Sequence, residues 1–253
     1  MNFKVSYLNN IKFDYYLIIN VFNEGKNLHK FLNLIDKNKN YGVIIADSPS
    51  TDGSTTLKEL SKFNVDILFS MNKRSDHTKT LLNVTKYIID NLKFKGIIIV
   101  DGNGKDYPSF TNDFISKFEE GYDYIQGSRF LKKGMSINTP LLRTFLIKFI
   151  HAPLMSIACR QKFTDTTNGF RALSSKFIKE NFSFIQEQNL EYYEYYPYTC
   201  FLACRRKYKI TEIPVIREYE KGKKIVTKIK TLKNYWLMLK PPLYQALGIK
   251  YKF

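Results

Sequence analysis

Short unbroken apolar runs alternate along the chain with stretches whose apolar residues recur every three or four positions. The run Ile97-Ile98-Ile99-Val100 is wholly β-branched and does not alternate, which predicts a strand buried on both faces of a parallel sheet. Before it, Tyr15 to Phe22, Gly42 to Ala46 and Val65 to Phe69 read as three further strands. Leu28, Phe31, Leu32 and Ile35 follow the first of these at helical spacing, and Leu57, Leu60 and Phe63 follow the second. A helix from about Asp76 to Asn91 presents Leu81, Leu82, Tyr87, Ile88 and Leu92. Four strand and helix alternations in the first 120 residues predict a doubly wound α/β sheet, Rossmann-like and mostly parallel, with helices on both faces.

Beyond it, Asp123 to Gly127 reads as another strand. Thr139-Pro140 opens a helical region with a broad apolar face of Leu142, Phe145, Leu146, Phe149 and Ile150, read as core packing with a lipid contact as the alternative. Ile225, Ile229, Leu232, Tyr235, Trp236 and Leu239 trace a last amphipathic helix with basic margins, predicted to end before Pro241-Pro242. Residues 1–220 are therefore expected to form the main domain, and 221–253 a basic extension lying on it or on a membrane surface.

Charge sharpens that division. The 253 residues carry a formal net charge of +17, and from Arg205 onward 14 basic side chains face 3 acidic ones. Such an end suits a polyanion, either an anionic membrane surface or nucleic acid. Three cysteines, Cys159, Cys200 and Cys204, are too few and too irregularly spaced for a disulfide framework or a closed zinc site, which suggests a reducing, cytoplasmic setting. No secretory leader is read in the first residues. The longest apolar stretch, Phe149 to Cys159, falls short of a bilayer span.

The chemistry gathers at the carboxyl ends of the strands, where open α/β sheets bind ligands. Asp101 ends the central run, and the loop GNGKDYP brings Asn103, Lys105 and Asp106 close to it. These groups suit a phosphate, with or without a hard divalent metal, although the same residues also make an ordinary polar turn. Neither a G-x-G-x-x-G turn nor a G-x-x-x-x-G-K-[ST] loop is present. Glu24, Asp47 and Asp101 at successive strand ends point instead to a nucleotide held by side chains. Arg129, just past its own strand, can bind an anionic oxygen or pair with Asp165.

Six segments in order resemble family 2 glycosyltransferases of the GT-A fold, and among them the dolichyl-phosphate mannosyltransferase and polyprenyl-phosphate sugar transferase branch. They are VFNEGKNL (Val21 to Leu28), DSPSTDGS (Asp47 to Ser54), DGNGKDYP (Asp101 to Pro108), QGSRF (Gln126 to Phe130), TDTTNGFRALS (Thr164 to Ser174) and EIPVIREYEKGKK (Glu212 to Lys224). The resemblance runs from about Tyr15 to Leu232. Ser48, Pro49 and Asn103 depart from it, standing where Asp, Gly and Asp are usual.

The resemblance implies roles. Glu24 and Asp47 would line the nucleoside pocket, with Lys105 at the phosphates. Asp101 and Asn103 would face the diphosphate through Mg²⁺ or Mn²⁺, weakly, because an amide oxygen brings no charge. Arg129 would approach an acceptor phosphate. Asp165 would be the base for a hydroxyl acceptor, or an orienting group for a phosphate that needs none. Gly169 would allow close approach of backbone to ligand, Phe170 would sit in the core, and Arg171 would tie its loop to the phosphates or to the scaffold. The implied activity is inverting transfer of a sugar from a nucleoside diphosphate to a polyprenyl phosphate, or to a lipid-linked or surface glycan precursor, at the inner face of the plasma membrane. Two alternatives stand beside it: a degenerate transferase that binds donor without turnover, and a basic protein that binds nucleic acid or membrane.

Overall fold

The computed structural model describes residues 2–9, 11–221 and 232–249, with side chains omitted for 232–235. The basic run from Lys223 to Lys230, with Ile225 and Ile229, lies outside the described residues. The central sheet has eight strands in the order β1-β4-β3-β2-β5-β8-β6-β9. Its parallel heart is β4 (Ile67–Met71), β3 (Gly42–Asp47), β2 (Tyr15–Val21) and β5 (Gly96–Asp101).

Burial on both faces explains why these strands do not alternate. Ile97 and Ile99 enter one core with Tyr16, Ile18, Ile44 and Phe69, whereas Ile98 and Val100 enter the other with Leu17, Ile19 and Ile45. Helix α1 (Lys26–Asn33), through Leu28 and Phe31, and helix α4 (Thr111–Glu119), through Phe114, cover the second face. The first face is covered by α3 (His77–Asn91), α7 (Ser175–Glu187) and α8 (Tyr195–Arg205). The predicted helix at Leu57 is a single turn, α2 (Leu57–Leu60). Asp76 caps α3 by accepting from the Lys79 N–H, a contact worth about 1 kcal/mol.

Four features depart from the sequence expectation. First, β1 (Phe3–Tyr7) pairs antiparallel with β4 and forms the sheet edge. Second, β8 (Arg171–Ser174) inserts antiparallel between β5 and β6 (Tyr124–Ser128), while β9 (Ile210–Pro214) runs parallel to β6. A two-stranded sheet joins β7 (Met135–Ile137) to β10 (Ile216–Glu218).

Third, Leu141–Cys159 is one 19-residue helix made of α5 (Leu141–Leu146), a π turn (Ile147–His151) and α6 (Ala152–Cys159). Among the described residues it is the one helix long and apolar enough to cross a membrane, by length and composition. Pro153 does not end it, because the π turn falls immediately before the break that the missing N–H makes in the ladder. Much of the face expected to pack in the core is instead exposed: Leu141 at 88 % and Phe149 at 66 %, together with Leu142, Phe145 and Ile157.

Fourth, α9 (Leu232–Ala246) continues through Pro241-Pro242 and packs on α6 and α8. Pro242 cannot donate to the Met238 carbonyl, which lies near the buried His151 ring. His151 Nδ1 meets Thr166 Oγ1 at 2.7 Å.

Candidate active site

Asp101 closes β5 beside Asn20 of β2, so the sheet itself delivers its carboxylate to the ligand edge. Gly104 has φ +69°, and a Cβ there would stand 2.9 Å from the Asn27 carbonyl; the loop turns only because no side chain is present. The turn lets Asn103 Nδ2 donate to Asp101 Oδ2 at 3.3 Å, and Asn103 Oδ1 accept from the Lys105 N–H at 3.2 Å.

Arg217, on β10, binds this loop from the other side. Its guanidinium donates to Asp101 Oδ2 at 3.2 Å and to Asp106 Oδ2, and the two segments form an antiparallel β-bridge at Asp106 and Arg217. Burial pushes the Asp101 carboxyl up, but Arg217, His77 and Lys105 more than offset it and hold it below its ordinary value. Asp106, fully enclosed, is pushed up to about 6 by burial despite Arg217. Burial and Arg217 lower the Lys105 ammonium, against the pull of Tyr219, Asp101 and Glu24. Glu24 thus belongs to the field of this site.

Two strand-end loops are tied together at the ends of β2 and β3. Asp47 accepts from Ser50 N, Ser50 Oγ, Thr55 Oγ1 and Ser70 Oγ at 2.6–3.2 Å, so it organises the loop from within. Asp52 accepts from Gly25 N at 2.8 Å, and Asn23 Oδ1 accepts from Thr51 N at 2.7 Å. Burial opposes the ionised form of Asp52, yet the Ser54 hydroxyl and N–H and the Gly25 N–H hold its carboxyl low.

Asp165 and Arg129 are brought together inside the protein. Arg129 Nε and Nη2 reach the two Asp165 oxygens at 2.6 and 2.8 Å, and both side chains are essentially inaccessible. Thr167 N–H and the Arg129 backbone N–H fill the remaining positions on the carboxylate. Burial would raise the Asp165 carboxyl, but Arg129 holds it below its ordinary range. In this geometry the carboxylate does not reach an acceptor as a base, nor does the guanidinium reach a free phosphate.

Glu212 of β9, not singled out in the sequence, accepts from Thr164 N and Asp165 N and so sets this loop. Arg171 is scaffold: it donates to Tyr124 OH at 3.0 Å and to the Asn168 carbonyl, under the Tyr196 ring at 3.8 Å. Phe170 is in the core. Gly169 touches the site, since a Cβ there would lie 3.1 Å from either Asp101 oxygen.

Beyond Lys105, the Tyr219 ring lies 5.0 Å from Lys105 Nζ and 5.8 Å from the Arg143 guanidinium, which belongs to α5. Burial raises the Tyr219 hydroxyl, yet Arg217, Arg143 and Arg129 pull it below its ordinary value. Lys105 and Arg143 therefore flank the Tyr219 ring, and Lys105 with Arg217 acts on Asp101. The apolar helix Leu141–Cys159 carries Arg143 in its first turn.

The oxygens able to hold a divalent cation are Asp101 Oδ1 and Asn103 Oδ1. Asp101 keeps 28 % of its side chain open, and Asn103 Oδ1 uses one of its two lone pairs. One carboxylate, one amide oxygen and a substrate's phosphates make the kind of set Mg²⁺ accepts, so these residues fit the ion, with Arg217 and Lys105 lowering the attraction.

No family model matches the chain. An uncharacterised protein of Methanocaldococcus jannaschii is 27 % identical over 172 residues, covering 64 % of this chain and 72 % of that relative. Among solved structures, the glucosyl-3-phosphoglycerate synthase of Mycobacterium tuberculosis, in complex with Mn²⁺, UDP and glucosyl-3-phosphoglycerate, matches with a TM-score of 0.64 and 13 % identity. That match covers 93 % of this chain and 80 % of that one. Staphylococcus aureus TarS, residues 1–349, matches with a TM-score of 0.52 and 14 % identity over 94 % and 67 % of the two chains. The 4-diphosphocytidyl-2C-methyl-D-erythritol synthase of Anaerococcus prevotii matches with a TM-score of 0.55 and 12 % identity over 91 % and 98 %. The chain has the GT-A fold, a Rossmann-like, mostly parallel α/β sheet in which β3 ends at Asp47 and β5 at Asp101.

Proposed function

We propose that the protein is an inverting glycosyltransferase that moves a sugar from a nucleoside diphosphate to a phosphate carried by a polyprenyl lipid, at the cytoplasmic face of the plasma membrane. The observation that carries this reading is the continuity between the cationic cluster and the exposed apolar helix. Arg143 stands over Tyr219 at the start of that helix, and Leu141, Leu142, Phe145 and Phe149 are exposed along it. A lipid lying along the helix would present its phosphate to Arg143 and Arg217, beside Asp101.

The loops at Asn23–Gly25 and Asp47–Ser54 would hold the nucleoside, and Lys105 with Arg217 would face the diphosphate. Mg²⁺ or Mn²⁺ at Asp101 and Asn103 would stabilise the charge that develops on the departing diphosphate. Mn²⁺ in the glucosyl-3-phosphoglycerate synthase complex supports that assignment. An acceptor phosphate is already anionic and needs no base, which agrees with Asp165 being committed to Arg129. Asp165 and Arg129 then act as positioning residues for the loop that carries Gly169 to Asp101. The pair's closure disfavours a hydroxyl acceptor with Asp165 as base.

The membrane side has a second support. An open cleft of about 390 Å³ beside the helix is lined by Lys148 and Lys162 with Phe130, Ala152, Pro153 and Phe163, a basic rim next to apolar surface. The test is a panel of UDP-, GDP-, CDP- and dTDP-sugars, each with Mg²⁺, Mn²⁺ or EDTA, scored by thermal shift and then by sugar transfer to polyprenyl phosphate in vesicles. One nucleotide class should stabilise the wild type and not Asp101→Ala, and lipid-linked sugar should appear. Donor hydrolysis without lipid product, whatever the lipid supplied, would overturn the acceptor assignment.

A further inference from the structure

Of the chain's three cysteines, Cys159 lies 41 residues before Cys200 in sequence, and the fold brings it to Cys200 and Cys204. Cys200 and Cys204 are one turn apart on α8 and so share a face, while Cys159 ends α6, which packs on α8. Their sulfurs all lie within 4.8 Å of one another, and all three are free thiols, two buried and one half-buried. The surroundings are the apolar core between these helices.

We propose that Cys159, Cys200 and Cys204 form a binding site for a soft, thiophilic metal ion held by three thiolates. A metal–sulfur bond of about 2.3 Å places three sulfurs around a planar ion about 4.0 Å apart, so modest side-chain rotation closes the present spacing. No histidine or carboxylate joins the trio among the described residues. Hard ions that need oxygen are therefore poorly served, as is a closed four-ligand zinc site. Three sulfurs in an apolar pocket select soft ions such as Cu(I) or Cd²⁺.

Binding exchanges three S–H bonds for three metal–sulfur bonds and releases three protons to solvent. Around a divalent ion the site then carries one net negative charge. The Tyr124 hydroxyl, a neighbour of Cys200, donates to Gln126 Oε1 at 3.3 Å and accepts from Arg171 Nη1 at 3.0 Å, so a buried guanidinium stands behind that charge. The ion ties the end of the Leu141–Cys159 helix to α8, five residues before Thr164 and the loop that reaches Asp101. The site is independent of the sugar-transfer reading.

The test uses the full chain under reducing conditions, titrated with Cd²⁺ and followed by ultraviolet thiolate-to-metal charge transfer, with thiol counting before and after. The expected result is one Cd²⁺ per chain, protection of all three thiols, a rise in melting temperature, and affinity at least about tenfold lower in Cys204→Ala and in Cys159→Ala. Cys204 is the half-buried member, so its variant is the one most able to fold, and circular dichroism confirms that it has. Charge transfer that is absent, or that persists unchanged in either variant, overturns the proposal. So does recovery of the reduced-purified protein with two of the three thiols joined as a disulfide that Cd²⁺ does not displace.

Discussion

Arg217 Nη2 lies 3.2 Å from Asp101 Oδ2, so a strand near the end of the described domain supplies the counter-charge for the carboxylate at the centre of the sheet. The same guanidinium neutralises Asp106, whose side chain is fully enclosed. Replacing Arg217 with Ala strands two carboxylates, one of them buried. Removing one partner of a buried pair costs roughly 3–5 kcal/mol, and urea unfolding should show a loss of that order. Arg217→Lys should recover only part of it, because an ammonium cannot span both acids as the fork does. A loss under about 1 kcal/mol for Arg217→Ala would contradict the geometry.

The Arg129–Asp165 pair separates two roles for the same carboxylate. If Asp165 is a positioning residue, Asp165→Asn lowers stability by several kcal/mol, roughly the 3–5 expected of a broken buried pair. A general base would show the opposite split, with kcat lost and stability kept. The expected outcome is a lower urea midpoint for Asp165→Asn. The double change Arg129→Met with Asp165→Leu should recover much of the midpoint, since an apolar pair of similar volume leaves no buried charge.

His151 makes stability fall on the acid side. Burial, aided by Arg171, lowers its pKa from 6.5 to about 4, against the pull of Asp165 and of the nearby Met238 carbonyl. Between about pH 6.5 and pH 4 the unfolded chain binds the proton and the folded chain does not. Stability therefore drops as pH falls through that window, by about 3 kcal/mol at most from this group. Urea unfolding at pH 7 and pH 4.5 measures the drop. His151→Gln should begin less stable at pH 7 and lose less between the two pH values.

The exposed face of Leu141–Cys159 makes a prediction about surfaces rather than stability. Leu142→Glu with Phe149→Glu removes two exposed apolar side chains and should change the melting temperature little. Sedimentation with anionic vesicles should fall at least about tenfold, a change of roughly 1.4 kcal/mol in binding. Unchanged sedimentation would remove the lipid surface from the functional reading. Raised salt should weaken what remains, through Lys148 and Lys162.

Much of this was legible in the sequence, and the gaps have physical causes. The parallel strands were readable because burial on both faces leaves only apolar residues at Ile97 to Val100, and strand ends place Asp47 and Asp101 without any tertiary knowledge. The roles of Arg217 and Glu212 were not readable, since each depends on a pairing across the sheet. The cysteine trio was hidden for the same reason: spacing along the chain says nothing of α6 resting on α8. Pro241-Pro242 misled because a proline removes one ladder bond without obliging the helix to stop, and packing on α6 and α8 carries α9 through both. The apolar face at Leu142 and Phe149 has the helical period of a core stripe. Periodicity shows that a face is apolar, not what covers it.

The pairing of Asp101 with a residue 116 positions further on also bears on how the site comes into being. A chain emerging residue by residue can assemble β2 to β5 and their helices while Arg217 is still unmade. During that interval the site's two acids stand without their shared cation. Charge balance at the site is thus a late event in synthesis, arriving when β10 docks against β7 and not when the parallel sheet closes. Fragments that stop short of β10 leave both acids without it.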